Sequence, residues 1–166
     1  MKQCVTVLAS LLLLAGCDIS INTNAPDTST STVTLSEPGT AQQQRHIVDK
    51  ALEFLLLLDA GRIDLTWPES GSALKASTTE PNWVKGLSGL RMGLGELKQR
   101  ERALISFTKQ LPNAPAGHYA AVQIQSTFAN MTVTEAVLLG EEDEQWRVVG
   151  YNVSKTVEVA TKISLF

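Results

Sequence analysis

Apolar positions along this chain change their spacing twice, and each change marks a boundary. Residues 5–14 are largely apolar through Val5, Val7, Leu8 and the run Leu11-Leu12-Leu13-Leu14, whereas 18–39 hold few apolar residues and no regular spacing. From Thr40 onward Ile47, Val48, Ala51, Leu52, Leu55, Leu56 and Leu58 recur at helical intervals, leaving Asp49, Lys50 and Glu53 for water. Thr40 with Gln43 fits a capping box at the start of this helix, and Gly61 supplies its stop. The run Leu55 to Leu58 makes the last turns apolar all round, which predicts a central helix covered there by other elements. A second helix is expected within 64–77, with Leu65, Trp67 and Leu74 as its contacts and interruptions at Pro68 and Gly71. A third opens at Pro81, carries Trp83, Leu87, Leu90 and Leu94 on one stripe, and ends at Gly95.

After Gly95 the spacing becomes two. A first strand is expected within 96–109, with Ala103, Ile105 and Phe107 on one face, and a second over 119–128, with Val122, Ile124 and Phe128 together. Met131, Val133, Glu135, Val137 and Leu139 share one side of a third strand. Trp146, Val148 and Gly150 share one side of a fourth, opposite Arg147, Val149 and Tyr151. Turns at Asn130 and at 141–144 make the last three an antiparallel meander. Helices first and strands afterwards predict an α+β domain over 40–154, its N-terminal helices packed on a curved, four-stranded antiparallel sheet. Residues 155–166 form a C-terminal extension whose alternating Val157, Val159, Thr161, Ile163 and Leu165 suit an edge strand or a cover over the core.

The first apolar run is about ten residues long, the length of a signal-peptide core and short of the roughly 20 that a spanning helix needs. Lys2 supplies its positive end, and Leu14-Ala15-Gly16-Cys17 resembles the lipobox of bacterial lipoproteins. The resemblance implies a signal peptide over 1–16, cleavage between Gly16 and Cys17, and a lipid on the Cys17 sulfur. The only other cysteine, Cys4, would leave with the leader, so the mature chain could form no internal disulfide. Residues 17–39 then read as a lipidated terminus and a flexible Ser/Thr/Asn/Pro tether holding the domain some 25 Å from a bilayer on average. Asp18 resembles the signal that retains lipoproteins of enteric bacteria in the inner membrane. The expected location is the cell envelope, facing the periplasm, with the membrane itself as one partner.

Candidate chemistry is sparse. Asp59 and Glu135 could supply a carboxylate base, and Tyr119 or Tyr151 an oxyanion donor, for an isomerase-like site. Against this, Glu135 can pair across the sheet with Arg100 or Arg102, and sheet tyrosines usually pack their rings. Asp59 opposes the dipole of the helix it ends, so it either hydrogen-bonds the next loop or carries a function. No metal is expected, because His46 and His118 lie far apart and no ligand spacing is present. Cofactors are not expected either, since Gly86, Gly89, Gly93 and Gly95 punctuate a helix and do not follow a strand. A net charge of -3, and a basic stretch at 98–102 that contains its own Glu101, exclude a nucleic-acid footprint.

One ordered set of residues carries a family resemblance: Leu58-Asp59-Ala60-Gly61, Trp67, Trp83, Arg91 with Gly95, Arg100, Pro112 and Pro115 before Gly117-His118-Tyr119, Glu135, and Trp146 to Tyr151. Over about 41–153 the chain resembles the DUF4019 family, departing from it at Pro68, Gly71 and 141–145. The resemblance implies an exported or lipid-anchored protein without an assigned activity. The predicted architecture is similar to cystatin-like and nuclear-transport-factor-like folds, some of which enclose pockets; such likeness does not assign chemistry. Two expectations follow: a non-catalytic binding or interaction module with a protein partner in the envelope, or a small-ligand or isomerase-like pocket between helices and sheet.

Overall fold

A computed structural model describes residues 39–155 except Asn113. The expected leader, Cys17, the expected tether up to residue 38 and the extension after Lys155 lie outside the described residues.

Helix α1 (Ala41–Asp59) begins where the sequence places it: the Thr40 hydroxyl accepts the Gln43 N–H at 3.2 Å, and the Gln43 side chain accepts the Thr40 N–H at 3.0 Å. It ends at Gly61, whose φ of 71° lets the Gly61 and Arg62 amides turn back onto the Leu58 and Leu57 carbonyls. Its buried stripe is Ile47, Ala51, Phe54, Leu55 and Leu58. Leu56 is 63% exposed and Leu52 36%, so the last turns are not covered on all sides. Four successive leucines spread around the whole helix at 100° each, and the sheet covers only one flank.

The expected second helix is split by Pro68 and Gly71 into a 3-10 turn, Ile63–Thr66, and a short α2 (Ser72–Ser77). The three-residue period of that turn buries Ile63 and Thr66 and leaves Leu65 outside. Helix α3 (Glu80–Leu94) carries Pro81 in its first turn and buries Leu87 and Leu94, with Trp83 and Leu90 half-buried beside them.

The sheet contains β1 (Leu97–Arg100), β2 (Leu104–Thr108), β3 (Tyr119–Phe128), β4 (Thr132–Glu142) and β5 (Gln145–Lys155), all antiparallel and curved under the helices. β4 lies between β3 and β5, while β1 and β2 pair with opposite halves of β3. The single first strand expected over 96–109 is therefore broken in two. Arg100 to Ile105 takes five steps where the facing Ser126 to Val122 takes four, and the surplus residue interrupts the ladder.

Two further irregularities change which way side chains point. Leu97 faces Phe128 and Gln99 faces Thr127, so Lys98 is an extra residue in β1. Leu138 faces Gly150 and Leu139 faces Val148, so Val149 is an extra residue in β5. One inserted residue sends every following side chain to the other face. Tyr151, expected opposite Trp146 and Val148, consequently joins them against the core. Beyond the second bulge β4 and β5 close through Asp143 (φ 50°) and Glu144 (φ 61°), the positive-φ pair of a type I′ hairpin.

Candidate functional site

Between α1, α3 and the sheet lies a cluster of charged side chains built around Glu135. This residue sits mid-strand on β4, between Ile124 of β3 and Val153 of β5, and is fully buried. Four donors surround its carboxylate. Oε1 accepts the Arg91 Nη2 at 3.0 Å and the Tyr151 hydroxyl at 2.6 Å; Oε2 accepts the Arg100 Nε at 2.9 Å and the Ser126 hydroxyl.

Each donor has its own reason to be there. Arg91 occupies the apolar stripe of α3, one residue past Leu90 and three before Leu94. Ser126 takes an inward position on β3 between Ile124 and Phe128. Arg100 is turned inward, opposite Ser126, by the bulge at Lys98. Tyr151 is turned inward by the bulge at Val149.

Asp59, the last residue of α1, closes the cluster. Arg100 donates to it through both terminal nitrogens, Nη2 reaching Oδ1 at 3.0 Å. Arg91 Nη1 stands 3.3 Å from the same Oδ1, at ion-pair distance but outside hydrogen-bond geometry, and its Nε makes no hydrogen bond among the described residues. The Arg91 guanidinium instead lies over the Phe128 ring at 5.1 Å and the Tyr151 ring at 5.9 Å. Two carboxylates and two guanidiniums thus form a ring without net charge.

Burial alone would push the Glu135 carboxyl up. Hydrogen bonds from Arg100, Ser126 and Tyr151, together with the Arg100 charge, outweigh that and hold it below the ordinary carboxylate value. Burial also lowers Arg100, but its bonds to Asp59 and Glu135 leave it raised. Tyr151 is raised, first by burial and then by the charge of Glu135 and the hydrogen bond to it. At neutral pH Glu135 is ionised with its lone pairs engaged, and Tyr151 keeps its proton. A general base needs a lone pair within reach of substrate, and Glu135 has none to spare.

Of the four residues proposed from sequence as a pocket, the fold brings Asp59, Glu135 and Tyr151 together. Tyr119 stands apart, at the far end of β3, where its hydroxyl donates to the Pro115 carbonyl at 2.7 Å and fastens the preceding loop. Arg91 and Ser126 were not singled out as site residues. Their signal was a polar residue at a position whose neighbours on the same face are apolar. His46 is exposed and His118 pairs with Glu141 at 2.9 Å; no three His, Cys, Asp or Glu residues converge for a metal among the described residues.

The sequence profile of the family described as "Protein of unknown function (DUF4019)" matches residues 50–151, well over half of the chain. The chain belongs to the DUF4019 family. The matched stretch of this DUF4019 protein contains every member of the charged cluster, from Asp59 to Tyr151. No curated protein and no solved structure matched the chain.

A separate feature lies at the edge of the DUF4019 domain. A cleft of about 830 Å³ runs between the first half of α1 and β2, lined by Arg45, Val48, Asp49, Arg102, Leu104 and Phe107 among others. None of the cluster residues lines it. This cleft and the buried chemistry are in different places.

Proposed function

We propose that this DUF4019 protein is a lipid-anchored component of the bacterial cell envelope, facing the periplasm, whose domain is a non-catalytic binding or interaction module. The observation that carries the reading is the saturation of Glu135 by four donors. The carboxylate best placed for an isomerase-like base is committed to holding Arg91, Arg100, Ser126 and Tyr151 in position, and Asp59 is engaged by the same two guanidiniums. The anchor rests on the order of Lys2, the leucine run and Leu14-Ala15-Gly16-Cys17. Asp18 favours retention at the inner membrane. The lipid joins the protein to the membrane, and the second partner is an envelope protein.

Mass spectrometry of the mature N-terminus, with fractionation of membranes from cells carrying the parent or Cys17→Ala, tests the anchored half. Acylated Cys17 as the first residue, and loss of membrane retention in the variant, are the expected results. A mature chain beginning elsewhere, or lacking lipid, would remove the anchor from the reading.

A further inference from the structure

β2 pairs with β3 along one side and with no strand along the other among the described residues. The cleft beside it is lined by six consecutive residues, Arg102 to Phe107, so residues from both faces of the strand border it. Such lining means that the strand's edge, with its backbone donors and acceptors, is what the cleft presents. The opposite wall is α1, which contributes Arg45, Val48 and Asp49. An edge strand running beside a helix is the arrangement into which an extended peptide adds as a further strand.

We infer that this cleft binds an extended, acidic peptide segment of another envelope protein by strand addition to β2. The inference rests on the reading of the domain as a binding module and names its site and partner chemistry. Shape sets the backbone: β2 is 5 residues long, so a segment of about five to seven residues at roughly 3.4 Å each would run its length. Apolar side chains on alternate positions would meet the half-buried Val48, Ile105 and Phe107, while Leu104, 69% exposed, points to the other face of the strand, where it would flank the intervening positions.

Charge sets the sign. Arg45 and Arg102 are exposed, and their side chains have no ion pair or hydrogen bond among the described residues. Asp49 is the single carboxylate among the lining residues, so the cleft carries a surplus positive charge. Two guanidiniums without a partner among the described residues, against the single carboxylate of Asp49, favour a segment that bears carboxylates. The chain's own flanking stretches fit less well: residues 32–38 hold one carboxylate, Glu37, and residues 156–166 follow Lys155, which pairs with Val133 at the opposite end of the sheet from β2.

The test uses the mature, acylated chain in nanodiscs, with a fluorescein-labelled probe of sequence Glu-Val-Thr-Val-Thr-Val-Glu and a counterpart with lysine at both ends. The acidic probe should bind at least tenfold tighter than the lysine probe, weaken with salt, and slow hydrogen exchange across Leu104 to Phe107. Arg45→Glu with Arg102→Glu should reduce that binding at least tenfold at an unchanged melting temperature, since both side chains are exposed. Equal binding of the two probes, no binding, or binding indifferent to charge reversal would overturn the inference.

A benzophenone amino acid at position 104 in living cells identifies the occupant. A cross-link to another envelope protein that disappears in the charge-reversed variant supports the proposal. Cross-links to residues 32–38, to residues 156–166 or to a second copy would overturn it. A cross-link to another protein that survives charge reversal would sink the acidic-segment inference while leaving the binding-module reading standing. Absence of acylation at Cys17 would instead strike the anchored reading, whatever the probe does.

Discussion

Arg100 holds Glu135 and Asp59 at once, its Nε lying 2.9 Å from Glu135 Oε2 while its terminal nitrogens reach Asp59. One guanidinium thereby ties the middle of the sheet to the end of α1, and Arg91 repeats the connection from α3. Removing one member of a buried ion pair costs about 3–5 kcal/mol, because its partners stay buried and uncompensated. Glu135→Gln should therefore destabilise the protein by about that amount in denaturant titrations. A loss below about 1 kcal/mol, the scale of a surface pair, would show that the ring contributes little.

The same group sets an acid limit. The folded pKa of Glu135 is lowered relative to the unfolded chain, so its contribution to stability is complete above the unfolded value of about 4.3. It is lost as pH falls from there through the lower folded value. Thermal melts between pH 7 and pH 3 should show stability falling at the acid end, and Glu135→Gln should show a shallower fall. Parallel acid limbs for the two proteins would contradict this assignment.

At the β4–β5 hairpin, Glu144 adopts a φ of 61°, which side chains other than glycine occupy at a cost. Glu144→Gly should raise stability by up to about 1 kcal/mol, the left-handed penalty less the entropy that glycine loses on folding. A melting temperature that rises for Glu144→Gly and falls for Glu144→Val would verify the turn.

The helix caps were legible in the sequence. Thr40 with Gln43 and Gly61 bound α1 because caps depend on residues three or four apart, and the α3 stripe from Trp83 to Leu94 survives intact. The four-stranded sheet was legible in outline, with its first strand broken into β1 and β2. What could not be read was parity after a bulge. Lys98 and Val149 are ordinary strand residues, and nothing in their chemistry announces that each is surplus to a partner strand far away in sequence. The inward turn of Arg100 and of Tyr151 depends on those two insertions. Trp146, expected on one side with Val148, is half-buried there with its ring edge-on to Phe107 at 6.4 Å. Arg91, Ser126 and Glu135 could have been grouped beforehand, since each is a polar residue placed where its face is otherwise apolar.

Asp59 decides between structure and chemistry, because the two roles give opposite signs. Tied to Arg100 and Arg91, it stabilises the fold; a carboxylate held in reserve for a reaction, against the dipole of its own helix, would weaken it. Denaturant melts of Asp59→Asn at neutral pH measure this directly. The loss of charge-assisted hydrogen bonds should lower stability by about 1.5–3 kcal/mol. A variant as stable as the parent, or more stable, would contradict the account of the cluster as a structural clasp.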